Sequence, residues 1–325
     1  MNRAQRWLGV LLIAQVALLL LIHNPFTKKA GATEQTLLPA LASITPERLE
    51  VAGPGGAATG FVRKDAVWTL ADPEGYPVLP GKIEKLLQDL GNLKTGRQVV
   101  SSSRYHASLK VATDDFERRI RIWEKAGGSP KIELYVGTSP SYGVTHVRVN
   151  GNDRVFEASG LNSYDIPVES SAWIERNLTM VPATEVTALA VANRKGKFSL
   201  VKKDGSWGFA DPAARGKAPL DQDKVTQLVS AMCGMSIEKP LAAPDEKTQG
   251  LSAPEATVTF TRVPAHPDSV APQPQIVTVK IGGLVPGPDQ QRYALRSGSP
   301  FGATVAKYGY DRALSATLTE LLKTK

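Results

Sequence analysis

The chain has 325 residues, of which 42% are hydrophobic and 22% charged, a composition typical of globular proteins that excludes a wholly disordered chain. Lysine and arginine number 39 against 31 aspartates and glutamates, and the net charge of +8 favours an anionic membrane surface, cell-wall polymer or nucleic acid as a contact. The single cysteine, Cys233, excludes an intramolecular disulfide, and the 4 histidines are far apart, which argues against most metalloenzymes and thiol enzymes.

The first predicted element is the apolar segment Trp7 to Ile22, in which Gln15 is the only strongly polar residue. As a helix it spans roughly 24 Å, a little less than a hydrocarbon core of about 30 Å. We predict an uncleaved single-pass transmembrane helix in the inner (cytoplasmic) membrane, with residues 1–29 as cytoplasmic tip and anchor and residues 30–45 as linker. The main alternative is a cleaved secretory signal, since Ala30-Gly31-Ala32 resembles a cleavage site, and a buried core helix is a third interpretation. The anchor and the signal both place the rest of the chain on the periplasmic side.

An internal repeat follows the anchor. Phe61 to Pro73 reads FVRKDAVWTLADP and Leu200 to Pro212 reads LVKKDGSWGFADP, with 7 identities in 13 ungapped positions. In each copy the turn signals Asp65-Ala66 and Asp204-Gly205 predict a hairpin of two strands, with the tryptophan on the second strand. The Asp-Pro pair ends that strand, because aspartate bonds its own downstream backbone and proline cannot continue a ladder.

Both copies continue with the same series of elements. A helix begins near Pro80 in the first copy and is capped by Asp221 in the second. Strand patterns follow at Arg118 to Glu124, Lys131 to Gly137, His146 to Val149 and Val155 to Ala158, and then at Ala256 to Val263, Ile276 to Gly282, Arg292 to Arg296 and Ala303 to Lys307. Short helical patterns, Ser171 to Leu178 and Asp311 to Leu322, close the copies. We therefore predict an α+β protein of two tandem repeated modules, residues 46–181 and 182–325, with mainly antiparallel sheets.

The repeated Trp-x-x-Ala-Asp-Pro motif is the sharpest candidate site. Its residues are Trp68, Asp72, Pro73, Trp207, Asp211 and Pro212. A surface tryptophan beside a carboxylate is able to bind a sugar or a peptide. The favoured interpretation is structural, because a strand tryptophan that covers the following helix and an Asp-Pro turn explain why both copies keep the motif.

A second candidate is the basic group Arg118, Arg119 and Arg121, which lies between Phe116 and Trp123. Such a mixture can grip single-stranded nucleic acid, but an exported location disfavours that partner. Alternation along a half-buried strand is the favoured explanation, and contact with an anionic lipid or protein is the alternative. The chain contains no Gly-x-Ser-x-Gly elbow, phosphate loop or helical histidine pair, so we expect no enzyme activity, cofactor or metal.

With both Trp-x-x-Ala-Asp-Pro blocks in place, the chain resembles domain-of-unknown-function family 4340. The resemblance includes the anchor, the stretch Tyr105 to Lys110 and the equivalent Gly250 to Pro254, and it covers nearly all of the chain after the anchor. Members of that family are often encoded beside ABC exporters of the gliding-motility-associated type. The resemblance implies a membrane-tethered, non-enzymatic accessory or scaffold subunit whose partners are the permease and ATPase subunits of such an exporter. The alternative function is a membrane-anchored cell-wall or polysaccharide-binding module, which the net charge and the two tryptophan strands favour.

Overall fold

The structure is a computed structural model that describes residues 35–211, 218–264 and 273–323, together with Trp7, Leu12 and Gln15. The rest of the predicted anchor, the alternative cleavage site and Pro212 lie outside the described residues. No helix within the described part of the chain is long and apolar enough to cross a membrane.

Each repeat forms one antiparallel sheet of eight strands. The first sheet contains β1 (Arg48–Ala52), β2 (Ala58–Lys64), β3 (Val67–Leu70), β4 (Gln98–Val100), β5 (Arg118–Trp123), β6 (Ile132–Val136), β7 (Val144–Val149) and β8 (Val155–Ser159). The second contains β9 (Val186–Asn193), β10 (Gly196–Lys203), β11 (Ser206–Phe209), β12 (Ile237–Pro240), β13 (Ala256–Arg262), β14 (Gln275–Leu284), β15 (Arg292–Arg296) and β16 (Ala303–Val305). Within residues 35–211, 218–264 and 273–323 the α-helices are α1 (Lys82–Asn92), α2 (Gln222–Cys233) and α3 (Lys307–Ser315).

The strand orders of the two sheets are the same. The first runs β3-β2-β1-β5-β6-β7-β8-β4 and the second β11-β10-β9-β13-β14-β15-β16-β12, so each strand has its counterpart eight strands later. The tandem repeat and the antiparallel sheets are thereby confirmed. The fold is mostly β, and helix is scarcer than the α+β prediction implied.

The prediction of a helix from Ser171 to Leu178 is wrong. Only a 3-10 turn, Ser170–Trp173, forms there. The chain then runs beside β12, where the Ile237 N–H donates to the Arg176 carbonyl at 2.7 Å. The Leu178 N–H donates to the Met235 carbonyl at 2.9 Å. Pairing with a sheet edge satisfies the backbone groups that a helix would have bonded internally, and this tertiary contact overrides the local pattern.

Contacts divide the described residues into two compact units. The first unit comprises residues 35–45, 86–119 and 132–165. The second comprises residues 46–85, 120–131 and the described residues from 166 onwards. The second unit therefore holds β1 to β3 of the first repeat together with all of the second repeat.

The repeated hairpins show why the same residues recur. Lys64 pairs with Val67 and Lys203 with Ser206, so each loop has two residues. Those residues have positive φ: 51° and 64° at Asp65-Ala66, and 49° and 80° at Asp204-Gly205. This is the type I′ geometry whose twist matches that of the flanking strands. The predicted hairpins are confirmed.

A matched loop covers one glycine in each repeat. In the first unit the Thr138 N–H donates to the Leu109 carbonyl at 3.0 Å, and a side chain on Gly137 would collide with that carbonyl. In the second unit the Gly283 N–H donates to the Gln249 carbonyl at 2.9 Å, and Gly282 meets the same obstacle. The stretches Tyr105 to Lys110 and Gly250 to Pro254 therefore belong to equivalent loops, which close over equivalent strands.

Candidate functional site

The two tryptophans of the repeated motif lie in the protein interior. Trp68 on β3 is 4% exposed and Trp207 on β11 is 7% exposed. Gln222, the first residue of α2, bonds both backbone groups of Trp207 through its side-chain amide. Its Oε1 accepts the Trp207 N–H at 2.7 Å, and its Nε2 donates to the Trp207 carbonyl at 3.0 Å. The motif thus links a strand to the helix that follows it.

Asp72 and Pro73 of the motif lie in the turn after β3, and Asp211 follows β11. Asp72 is exposed and Pro73 is buried. Asp211 is exposed as well, and Pro212 lies outside the described residues. Because both tryptophans are covered, neither ring is available beside its aspartate as a platform for a sugar or a peptide.

The three arginines of β5 have partners within the fold. The Arg118 Nη1 donates to the Glu117 carbonyl at 2.6 Å. Arg119 lies 3.9 Å from the Glu133 carboxylate, and Arg121 lies 3.7 Å from the Glu50 carboxylate. All three side chains are partly buried, and Ile120 and Ile122 on the same strand are fully buried. An external anion at this strand would have to compete with those carboxylates.

Cys233 and His146 are side chains with reactive groups, and both are buried in the fold. The Cys233 thiol is buried on α2, and burial raises its pKa to about 12. A thiol with that pKa is protonated at neutral pH and is a poor nucleophile. Burial lowers the pKa of His146, whose Nδ1 lies 2.9 Å from the Thr138 hydroxyl. Among the described residues, no group of three or more His, Cys, Asp or Glu side chains is arranged to hold a metal.

A cavity in the second unit is the best candidate site. Its volume is about 230 Å³. Tyr76 and Pro77 border it from the turn after β3, and Ile237 borders it from β12. The remaining lining residues belong to the segment between the repeats, from Glu175 to Met180, and to the end of β15 with its following turn, from Arg296 to Ala303. The Tyr76 and Phe301 rings are in contact at 4.8 Å between centroids. The lining is therefore aromatic and aliphatic, with charged groups at Arg296 and Glu175.

A second, more polar cavity adjoins the first. It has a volume of about 330 Å³ and shares Arg296, Gly298 and Ser299 with its neighbour. Lys280 and Glu246 line it and form an ion pair at 2.7 Å. Hydroxyl groups from threonine and serine complete the polar wall.

The charge environment of the first cavity centres on Tyr76. Burial raises the pKa of the Tyr76 hydroxyl, the positive charge of Arg296 opposes that rise, and the negative charge of Glu175 adds to it. The charges of Arg296 and Glu175 therefore shift the pKa of the Tyr76 hydroxyl in opposite directions. No sequence pattern indicates this group, since Tyr76, Glu175 and Arg296 come from segments that only the fold brings together.

Comparison with known proteins identifies one family. The model of the family described as Domain of unknown function (DUF4340) matches residues 68–216 and 211–325, which are two tandem segments. No curated protein and no solved structure matches the chain significantly.

Proposed function

Because the chain belongs to the DUF4340 family, we propose that it is a non-enzymatic, single-pass extracytoplasmic accessory subunit, a scaffold in an ABC-type export system. The observation that carries this proposal is the duplicated strand order of the two sheets. Of the residues that the copies share, Trp68 and Trp207 pack in the interior, and Asp65 and Asp204 form turns. What is duplicated is a framework that presents surfaces, which supports a binding role.

The membrane attachment in this proposal rests on the apolar segment Trp7 to Ile22. If that segment is an uncleaved anchor, the mature protein keeps Met1 or Asn2 and stays with the membranes after a carbonate wash. Mass spectrometry of the intact protein gives the N-terminus directly. An N-terminus at Thr33 would establish the cleaved signal instead and rule out the anchor.

The proposed partners are the permease and ATPase subunits of an exporter, and the ATPase subunit supplies the hydrolysis of ATP. The test is co-purification of the tagged chain, expressed at its native level, from detergent-solubilised membranes. A tagged single-pass membrane protein of similar abundance is the matched control. We expect the permease and ATPase subunits to accompany the chain and not the control, and their absence from both samples refutes the proposal.

The second candidate function, binding of a cell-wall polymer, is supported by the net charge of +8. Its other support was the pair of tryptophan strands. Trp68 and Trp207 are only 4% and 7% exposed, so neither forms a surface for a polymer. Pull-down on isolated wall material at rising salt separates a specific binding site from non-specific attraction between charges. Attraction between exposed charges is already screened within about 8 Å at physiological ionic strength. Binding that persists at high salt would favour this function over the scaffold.

A further inference from the structure

The two adjoining cavities of the second unit have the features of a ligand site that the scaffold role does not require. Four separate segments contribute to the first cavity, through Tyr76, Leu178, Ile237 and Phe301. At about 230 Å³ it is smaller than the roughly 300–1,000 Å³ of pockets for drug-sized molecules. The cavity therefore fits a compact group, about one amino-acid residue in size.

The walls of the first cavity are held by bonds within the fold. The Ser299 hydroxyl accepts the Phe301 N–H at 3.1 Å and donates to the Phe301 carbonyl at 2.9 Å, which fixes the turn that carries the ring. On the opposite side, the Asn177 Oδ1 accepts the N–H groups of Thr179 and Met180 at 3.0 and 3.1 Å. A site with fixed walls loses less conformational entropy when a ligand binds.

Arg296 is the charged group that both cavities share. It is partly buried at the end of β15, and no ion pair of its guanidinium occurs among residues 35–211, 218–264 and 273–323. By contrast, the nearby Lys280 is paired with Glu246 at 2.7 Å. A guanidinium presents a rigid fork of donors that matches a carboxylate with two parallel hydrogen bonds. Arg296 is therefore placed to receive an anionic group from either cavity.

We propose that the cavities bind the carboxylate of an apolar amino-acid residue, with the carboxylate on Arg296 and the side chain against Tyr76 and Phe301. The apolar group lies in the first cavity, where Leu178 and Ile237 complete the wall. The remainder of the ligand extends into the polar cavity beside Lys280. The carboxylate has two possible sources, a free amino acid and the C-terminus of a polypeptide. This inference does not depend on the proposed export role.

A ligand peptide that adds a strand to the segment beside β12 fits this site less well. The Asn177 N–H already donates to the Glu175 carboxylate at 2.8 Å. The Leu178 N–H donates to Met235, so it is unavailable as well. Recognition by main-chain pairing would need those donors, whereas the side-chain groups Arg296, Tyr76 and Phe301 all border the cavity.

Equilibrium dialysis of the purified full chain tests the site, with a detergent-only compartment to correct for partition of the probe into micelles. The probes are N-acetyl-L-phenylalanine, which mimics a C-terminus, free L-phenylalanine, and N-acetyl-L-phenylalaninamide, which lacks the carboxylate. We expect at least one of the two acids to bind saturably and at least tenfold more tightly than the amide. Binding of the acetylated acid alone identifies a chain terminus as the source, and binding of the free acid identifies an amino acid.

Variants link that binding to the residues. Arg296→Gln is expected to weaken binding of the acid at least tenfold, and Phe301→Ala is expected to weaken it too. Arg194→Gln is the matched control, because it removes an arginine whose side chain is 79% exposed and paired with Glu255. Circular dichroism establishes whether each variant is folded. If Arg296→Gln does not fold, Arg296→Lys is the conservative second variant. The inference is overturned if neither acid binds up to about 10 mM, if the amide binds as tightly as the acid, or if no folded Arg296 variant weakens binding.

Discussion

Truncation of the repeated tryptophans is the sharpest test of the structural interpretation of the motif. Trp68→Ala and Trp207→Ala each remove a ring that is 4% or 7% exposed in the native state. An aromatic side chain buries about 150–250 Å², which at about 25 cal/mol per Å² corresponds to roughly 4–6 kcal/mol. That figure is an upper bound, because the unfolded chain already covers part of its apolar surface.

Measured truncations of buried large aromatics cost about 3–5 kcal/mol, so we expect a loss of that size in each variant. The Gln222 bonds to the Trp207 backbone do not involve the ring. These bonds can still form when the ring is removed. The loss of stability in Trp207→Ala is therefore expected to come mainly from lost packing. Both tryptophans belong to the second unit, so both variants are expected to shift the same unfolding transition.

The assay is urea unfolding followed by far-ultraviolet circular dichroism, because tryptophan fluorescence changes with the substitution itself. Tyr142→Ala is the control, since this side chain is fully exposed. It is expected to unfold at the wild-type midpoint, whereas both tryptophan variants unfold at lower urea. Midpoints for Trp68→Ala and Trp207→Ala that equal the wild-type value would refute the interior placement.

Three further predictions concern other parts of the fold. Gly282→Ala places a methyl group against the Gln249 carbonyl and is expected to cost roughly 1–3 kcal/mol in a urea titration, whereas Gly127→Ala, which meets only open space, is expected to be neutral. Asp221 accepts N–H groups at the start of α2, so Asp221→Ala is expected to cost about 1 kcal/mol in the same titration, and Asp221→Asn to retain most of that stability. Burial raises the pKa of Cys233 from 9.0 to about 12, so the folded state holds the proton more tightly and stability falls as the pH rises from 9.0 towards about 12. A thiol reagent at neutral pH is accordingly expected to label Cys233 in urea but not in the native protein, and rapid native labelling would contradict its burial.

Much of the strand pattern was predictable because its signals are local. The Asp204-Gly205 turn has the composition that a type I′ loop demands, and Asp221 caps α2 as the sequence predicted. The alternation of Arg119 and Arg121 with Ile120 also appears as a half-buried strand. In each of these cases neighbouring residues decide the conformation.

The parts that escaped prediction depend on distant contacts. The pattern from Ser171 to Leu178 is compatible with a helix, but after the 3-10 turn Ser170–Trp173 the chain pairs with residues at β12 through Arg176 and Leu178. The candidate site has the same origin. Tyr76, Glu175 and Arg296 are far apart in sequence, and none belongs to a motif with recognisable spacing. Folding alone brings these residues to one cavity, so a single sequence carries no sign of it.

Cross-linking in intact cells tests whether the chain contacts an export complex, as proposed above. A photoreactive amino acid is introduced singly at Tyr142, Tyr164, Ile276 and Tyr308, whose side chains are 105%, 87%, 70% and 71% exposed. The buried Trp207 is the control position. We expect at least one exposed position, and not the control, to form a light-dependent adduct with the permease of an ABC exporter. The proposed contact is contradicted if every exposed position yields only uncross-linked chain while the protein is present in the membrane at its native level.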